Sequence, residues 1–183
     1  NIYDYNYVIV DKKLNINSIS GDRDKNCGYC LRGTVITPDN KYVIIGRMGG
    51  GGLAIIDLEK KSYIGTLWNV PLTPRHLIIS SQNELVLSTC ASGEIAKISL
   101  DSIYKHIHEL ENKTKVSLQI NDWKSFNAGG SVRTIDISKD GKYIYAALNT
   151  SSELAVIDYQ SLKLIEKFKI ANYPVGLAVS PDD

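Results

Sequence analysis

The stretch that decides the fold is residues 131–181, SVRTIDISKDGKYIYAALNTSSELAVIDYQSLKLIEKFKIANYPVGLAVSP. It contains four runs rich in β-branched and aromatic residues, namely VRTIDIS, YIYAAL, ELAVIDY and LKLIEKFKI. Short gaps of polar or glycine residues separate these runs, which is the pattern of consecutive β-hairpins. The segment that follows, ANYPVGLAVSP, begins the pattern again. The sequence therefore predicts a four-stranded antiparallel unit that repeats along the chain.

Two recurring positions give the period of this repeat. The first is the small hydroxyl residue that closes the first strand of each unit: Thr37, Ser80, Ser138 and Ser180. The second is the last residue of the third strand: Asp57, Ser99 and Asp158. The first series gives spacings of 43, 58 and 42 residues, and the second gives 42 and 59. Both series indicate a period of about 42 residues with one insertion after Ser99, which is typical of the blades of a β-propeller. A β-sandwich need not repeat a turn and a strand-closing residue in step.

With the blades placed, the sequence resembles the YVTN/YncE-like propellers of bacterial extracytoplasmic proteins. The resemblance rests on an arginine that opens the first strand, on turns such as PDNKY and KDGKY, and on a third strand that ends in IDL or IDY. It covers roughly residues 30–183. The resemblance implies an all-β propeller outside the cytoplasm, although no signal peptide is visible in the chain. Because this family uses one fold for many functions, the resemblance leaves the activity open.

The repeat divides the chain into parts of one propeller segment. We expect a half blade over 1–20, blades over 31–69, 70–124 and 126–170, and the first strand of a further blade over 171–183. Propellers close with four to eight blades, so the expectation is a segment of a larger propeller, with seven blades implied by the resemblance. The remainder of that propeller, or another protein, would cover the open edges. The alternative is a four-bladed ring that the N-terminal strands complete.

The insertion in the second predicted blade has a helical pattern. Its apolar residues are spaced as on one face of a short amphipathic helix near 101–112: Leu100, Ile103, Ile107 and Leu110. Asp101 is the predicted N-cap, and the run 116–122, VSLQIND, is the predicted fourth strand of the blade. His106 and His108 lie about 200° apart around such a helix, so we expect solvated side chains rather than a shared metal.

Composition narrows the classes of partner. The chain is 43% apolar and 22% charged, with a formal net charge of +1. This balance gives no long-range attraction to nucleic acid or to an anionic membrane. No apolar run reaches the ~18 residues of a membrane span.

Three arginines are the leading candidates for a binding site at the mouth of the central channel. They lie five residues before successive strand-closing residues: Arg32, Arg75 and Arg133. If equal offset means equal position, three guanidinium groups ring the mouth and favour a carboxylate or phosphate ligand. The fourth repeat has Val175 at this offset, so the ring is interrupted. The alternative is that each arginine ties its blade to a neighbouring loop. Residues near the second-strand ends are predicted on the same face: Arg47, Met48 and Asn149.

His76 offers an alternative, catalytic interpretation. The string Pro74-Arg75-His76 resembles the first-strand motif of lactonase-type propellers, which hydrolyse cyclic esters of sugar acids and place His and Arg near the channel mouth. No acidic partner can be identified from the sequence, and a packed histidine is the preferred interpretation of this residue. Arg75 and His76 are therefore the catalytic candidates of the alternative hypothesis only.

Cys27 and Cys30 form a CxxC motif in the loop before the first predicted complete blade. No histidine follows, which excludes attachment of a c-type haem, and neither a helix nor a second CxxC accompanies the motif. We predict a local disulfide between Cys27 and Cys30, with Cys90 free. A metal site built from these cysteines and His76 is the alternative, and no cofactor is predicted.

These observations favour a non-catalytic, extracytoplasmic binding or interaction scaffold. Its ligand at the channel mouth is expected to be a small anion. The competing hypothesis is a lactonase-like hydrolase that acts on an anionic, sugar-derived lactone.

Overall fold

The computed structural model describes residues 30–110, 112–113 and 115–181. The first blade contains β1 (Leu31–Ile36), β2 (Tyr42–Arg47), β3 (Leu53–Asp57) and β4 (Ser62–Trp68). The second blade contains β5 (Pro74–Ile79), β6 (Glu84–Thr89), β7 (Glu94–Ser99) and β9 (Lys124–Asn127). The third blade contains β10 (Val132–Ile137), β11 (Tyr143–Leu148), β12 (Glu153–Asp158) and β13 (Lys163–Lys169). Helix α1 (Leu100–Leu110), strand β8 (Lys115–Ser117) and a 3-10 helix (Ile120–Asp122) lie between β7 and β9.

The three blades confirm the predicted β-propeller segment. Within each blade, strands that follow one another along the blade pair antiparallel, so each blade is a four-stranded meander. The predicted half blade over 1–20 lies outside the described residues. None of the helices in the described part of the chain is long and apolar enough to cross a membrane.

The strand-closing hydroxyl recurs because it closes the turn between the first two strands. Thr37 Oγ1 lies 2.6 Å from Asp39 Oδ1 and accepts a hydrogen bond from the Tyr42 backbone N–H at 3.0 Å. Ser138 Oγ makes the same pair of bonds in the third blade, to Asp140 at 2.7 Å and from the Tyr143 N–H at 2.9 Å. The sequence marker is thus a local hydrogen-bonding device that fixes where β2 and β11 begin.

Alternating strand residues build two cores, one on each side of the second blade. On β6, Leu85 and Leu87 are fully buried against the first blade, and Val86 is fully buried against the third. Both faces of the second blade are therefore covered, which explains why its strands read as nearly continuous apolar runs.

The fourth strand of the second blade was predicted wrongly. Residues 124–127 form that strand, as β9 pairs antiparallel with β7. Lys115–Ser117, which overlaps the start of the run predicted for it, instead forms β8, which pairs parallel with β4 of the first blade. The physical reason is that Val116 and Leu118 are buried in the core shared by the first two blades. The insertion thereby covers the outer edge of the first blade.

Helix α1 is confirmed, but its start and one of its histidines differ from the prediction. Ser99 caps the helix, since its Oγ accepts a hydrogen bond from the Ser102 N–H at 3.2 Å, and Asp101 lies in the first turn. His106 is only 5% exposed and its Nδ1 lies 2.7 Å from the Ser102 carbonyl oxygen. It follows Ile103 by three residues and therefore shares the buried face, whereas His108 is exposed as predicted.

The predicted first strand of a further blade is not paired as a strand. Residues 171–181 lie beside β10, where Thr134 Oγ1 donates to the Val175 carbonyl and the Val179 N–H donates to Asp136 Oδ2. These are bonds to side chains of β10 rather than a backbone ladder. A strand requires a ladder, and among the described residues this segment meets no second strand with which to form one.

A buried polar network joins the second and third blades. Lys97 is 2% exposed, and its Nζ lies 3.1 Å from Glu84 Oε2 and 4.1 Å from the centre of the Tyr159 ring. The Tyr159 hydroxyl lies 2.7 Å from both Ser80 Oγ and Glu84 Oε2. Burial raises the pKa of Tyr159 well above its ordinary value, and the neighbouring Glu84 carboxylate adds to the shift. The polar side chains of Lys97, Glu84, Tyr159 and Ser80 are thus all partnered within this network.

Removing the Tyr159 hydroxyl should weaken this interface. We expect Tyr159→Phe to lower the free energy of unfolding by about 1–3 kcal/mol, because Ser80 and Glu84 lose a buried hydrogen-bond partner. The raised pKa means that the stabilisation is present below about pH 10 and is lost as the pH rises above that value. Urea denaturation at neutral and alkaline pH measures both effects. Tyr173→Phe, at a 69% exposed position, is the matched control, and an equal change in the two variants would contradict the prediction.

Candidate functional site

A cleft of about 500 Å³ opens where loops of all three blades meet. Its lining comes from the loops that enter a first strand and from the loops that join second and third strands: Met48, Thr73, Cys90, Ala91, Ser92, Gly93, Gly130, Ser131, Arg133 and Thr150. We call these residues the mouth cleft. This is the end of the blades at which the sequence predicted a ligand site.

Arg133 is the charged residue of the mouth cleft. It is half-buried, and its Nε is buried without a hydrogen-bond partner among the described residues. None of the described residues that line the cleft is a carboxylate, so Arg133 makes this part of the lining positive. A buried guanidinium N–H without a partner is a donor that a bound anion can use.

The other two arginines of the predicted ring lie elsewhere. Arg75 Nη1 is 3.9 Å from Met48 Sδ, so this side chain reaches from the second blade to the rim of the first. Arg32 Nη1 donates to its neighbour's carbonyl, Leu31 O, at 3.1 Å. Neither residue lines the cleft. Of the three arginines predicted to ring the mouth, Arg133 is the one that lines the cleft in the described part of the chain.

The position of a β-bulge distinguishes Arg32 from the other two arginines. Arg75 and Arg133 are the bulged residues of β5 and β10, whereas Arg32 stays in the ladder opposite Gly46 and the bulge falls on Gly33. A Cβ at residue 33 would lie 2.7 Å from Leu77 Cδ1, so the close approach of the second blade requires glycine at this bulge. Equal sequence offset therefore does not give equal orientation.

Of the predicted second-strand residues, Met48 alone lines the cleft. Arg47 is 6% exposed and lies within its blade, where Nη1 donates to Thr66 Oγ1 at 2.9 Å and the guanidinium packs 5.0 Å from the Trp68 ring centre. Asn149 is 8% exposed and donates from Nδ2 to the Pro174 carbonyl at 3.0 Å. Both residues have structural partners, and the geometry places neither of them in the cleft.

His76 lies between the inner strands of the second and third blades. Its Nδ1 accepts a long hydrogen bond of 3.5 Å from the Ile135 N–H. Burial lowers the pKa of His76 below its ordinary value, although the nearby Asp136 carboxylate opposes the shift. Asp136 is itself occupied by the N–H groups of Ile137 and Val179. The arrangement matches a histidine packed between blades.

The cysteines follow the prediction in the described residues. Cys30 is disulfide-bonded, and its predicted partner Cys27 lies outside the described residues. Cys90 is free, half-buried and 3.0 Å from Ser131 Oγ, and it lines the cleft. No group of three His, Cys, Asp or Glu side chains that could hold a metal occurs in the described part of the chain.

Sequence reasoning missed most of the small residues of the cleft. They lie in two loops, Ala91 to Gly93 after β6 and Gly130 to Ser131 before β10. The available signal was their place in the repeat, directly after a second strand and directly before a first strand. Their side chains carry no chemistry that would have singled them out.

Comparison with known proteins agrees with the fold. No family model matches the chain. A curated relative, the antigen Lp49 of Leptospira interrogans, is 25% identical over 174 residues, which is 83% of this chain and 34% of the antigen. The chain is similar in structure to the hydrazine synthase of Kuenenia stuttgartiensis, at 18% identity, with a TM-score of 0.64 and coverage of 90% and 43% of the two chains.

Two further structures extend the comparison. The periplasmic gluconolactonase of Pseudomonas aeruginosa matches with 18% identity, a TM-score of 0.60 and coverage of 83% and 44%. The β-propeller domain of Cps50 (Swd1) from Myceliophteria thermophila matches with 17% identity, a TM-score of 0.57 and coverage of 78% and 44%. The chain thus spans less than half the length of these proteins. At such identities the structural similarities establish the β-propeller fold alone.

The half-buried position of His76 has a measurable consequence. Because its pKa is lowered in the folded protein, the unfolded chain binds more protons below about pH 6.5, and folding stability falls as the pH falls through that value. We expect the free energy of unfolding of the wild type to drop more steeply between about pH 7 and 5 than that of His76→Gln, which keeps an acceptor for Ile135. Parallel curves from urea denaturation would contradict this assignment.

Proposed function

We propose that this chain is part of an extracytoplasmic β-propeller that binds a small anionic ligand at the mouth cleft and acts as a non-catalytic scaffold. The observation that carries the proposal is the Arg133 side chain, whose buried Nε has no partner among the described residues. The location is supported by the periplasmic gluconolactonase and by the antigen among the similar proteins. The described lining residues include Arg133 and no carboxylate, which supports an anionic ligand.

The chemistry of Arg133 favours a carboxylate or phosphate group. A guanidinium presents its N–H donors in a planar fork, so Nε and one Nη can hold two oxygens of the same anion. Most hydroxyl groups of the lining already have partners: Thr73 Oγ1 accepts from the Ala91 N–H and Thr150 Oγ1 accepts from the Ser131 N–H. These bonds hold the loops in shape, and they leave Arg133 as the main group that recognises the ligand. The volume of about 500 Å³ suits one small molecule.

The position of His76 supports binding over hydrolysis. Its Nδ1 accepts from the Ile135 N–H, so the proton of the neutral ring lies on Nε2. An Nε2–H group donates a hydrogen bond and cannot take a proton from an attacking water. His76 is also absent from the lining of the cleft.

Hydrolysis of a lactone remains the second candidate function, because a gluconolactonase shares the fold and Arg75 touches Met48 at the rim of the cleft. In this alternative, Arg75 would bind the sugar-acid lactone and His76 would take part in its hydrolysis. Opening of glucono-δ-lactone, followed at constant pH, separates the two functions. The scaffold proposal predicts the spontaneous rate, and an acceleration that His76→Gln abolishes would establish the hydrolase.

Calorimetric titration with gluconate, citrate and inorganic phosphate tests the binding proposal. We expect at least one of these anions to bind and Arg133→Ala to weaken binding about 10-fold or more, because a charge-assisted, bidentate contact is lost. Arg133→Lys keeps the charge and loses the fork, so its affinity should lie between those of the wild type and Arg133→Ala.

Arg32→Ala is the matched control for this titration, since Arg32 bonds to its own strand and lies outside the cleft. Its affinity should remain within about 2-fold of the wild-type value, as expected for a residue that does not touch the ligand. Equal losses in Arg32→Ala and Arg133→Ala would show a general charge effect. That result, or no binding of any of the anions, would overturn the proposal.

We also propose that further blades or another protein cover the outer face and edge of the third blade. Its apolar side chains are unusually exposed, with Ile165 at 52% and Phe168 at 44%. Every residue of β13 is exposed, in contrast to β4, whose edge β8 covers. Exposed apolar strands of this kind are normally covered in stable proteins.

Native mass spectrometry tests whether further blades or another protein cover the third blade. The sequence has a mass of 20.3 kDa, and we expect the native particle to be heavier, through a longer polypeptide or a bound subunit. The denatured mass of the same sample distinguishes these two sources. A native mass of 20.3 kDa, in a sample that keeps its β-sheet circular dichroism, would contradict the proposal.

A further inference from the structure

A second concave surface lies at the opposite end of the blades from the mouth cleft. It has a volume of about 340 Å³ and is lined by Pro38, Asp39, Lys41 and Tyr42 from the β1–β2 turn, and by Tyr104 and His108 from α1. We call these six residues the tyrosine groove. The insertion after Ser99 creates one wall of the groove, so the other two described blades have no counterpart of it.

Two aromatic rings form the body of the groove. The centres of the Tyr42 and Tyr104 rings lie 6.3 Å apart, and their planes meet at 55°. Tyr104 and His108 are four residues apart on α1 and therefore project from the same helix face. Both rings are partly buried against the core of the first two blades, and both contribute to the lining of the groove, where aromatic surface can contact the C–H groups of a flat ligand.

The polar groups of the groove include both acceptors and donors. Slight burial raises the pKa of Asp39, but hydrogen bonds from Thr37, the Lys41 N–H and Tyr104 outweigh it and hold that pKa below its ordinary value. Asp39 is therefore a carboxylate acceptor, and Lys41 supplies a positive donor. The formal charges of Asp39 and Lys41 cancel. A groove without net charge gives neither anions nor cations an electrostatic advantage.

We propose that the tyrosine groove binds a neutral sugar ring. A sugar presents C–H groups to an aromatic face and hydroxyl groups that both donate and accept, which matches the two rings and the mixed polar groups. The volume of about 340 Å³ is at the lower end of small-molecule sites and accommodates one or two rings. This site is independent of the anion site proposed for the mouth cleft.

Saturation-transfer NMR with methyl glycosides of glucose, galactose, mannose and N-acetylglucosamine tests the proposal. We expect transfer to at least one of them, with a Kd of about 1–10 mM, the range of a contact that covers a single ring. The aromatic signals of Tyr104 should shift on addition of that glycoside, whereas those of Tyr143, on the third blade, should not. The absence of transfer from every glycoside would overturn the proposal.

Variants locate the site. Tyr104→Ala should abolish the transfer and His108→Ala should reduce the affinity about 2- to 5-fold, through the loss of the stacking ring and of one polar contact. Lys105→Ala, exposed on the same helix and outside the groove, should leave binding unchanged. His108 is exposed, so its substitution is a valid test even if Tyr104→Ala proves unstable. Transfer that persists in both groove variants would overturn the assignment.

Charged analogues test the charge argument. Glucuronate carries a carboxylate and glucosamine carries an ammonium group on the same ring skeleton. We expect neither to bind more tightly than the neutral glucoside, because the groove charges cancel. Binding of glucuronate alone or of glucosamine alone would overturn the proposal in favour of an anion or cation site, respectively.

Discussion

The structure depends on the burial of each blade's face against its neighbour. The surroundings of one buried lysine show what this burial requires. Lys97 is 2% exposed between the second and third blades. A buried ammonium is stable only when it is paired and its remaining bonds are satisfied. Glu84 supplies the counter-charge from the same blade, and the third blade contributes the Tyr159 ring and hydroxyl. If the second and third blades separated, the Lys97–Glu84 ion pair would lose its contacts with Tyr159. The network therefore favours packing of the third blade on the second.

The interface between the first two blades also places a tyrosine against the preceding blade, but it uses different elements to do so. The residue after the third strand is Tyr159 in the third blade, and its counterpart in the second blade is the buried Leu100, which begins α1. One turn further along the helix, Tyr104 approaches the Thr37–Asp39 turn of the first blade. A tyrosine thus meets the strand-closing hydroxyl of the preceding blade at both interfaces. The insertion replaces the direct contact by a helical one, and it creates the tyrosine groove in doing so.

The sequence contained the repeat, the strands, α1 and the end of the blades that carries the cleft, because each depends on local periodicity or turn chemistry. Three features depend on contacts between distant residues and could not be predicted. The bulge at Gly33 follows from the approach of Leu77 of the next blade. The pairing of β8 with β4 follows from burial of Val116 and Leu118. The different backbone positions of Arg32 and Arg133 follow from that bulge, although the two residues have the same offset in the repeat.

The two ends of the blades differ in chemistry because different residues line them. The loops of the mouth cleft are short and rich in small residues, so the backbone comes close to the cleft and Arg133 is the charged group left to determine its sign. At the other end, the turns contain a carboxylate and a lysine within three residues, and α1 adds aromatic groups. A charge without a nearby counter-charge favours ligands of the opposite charge. Where the charges of a site cancel, shape and hydrogen bonding determine which ligand binds. The two surfaces that we propose, one for anions and one for neutral ligands, therefore differ in the loops, strand ends and helix residues that line them, while the four-stranded blades beneath them stay the same.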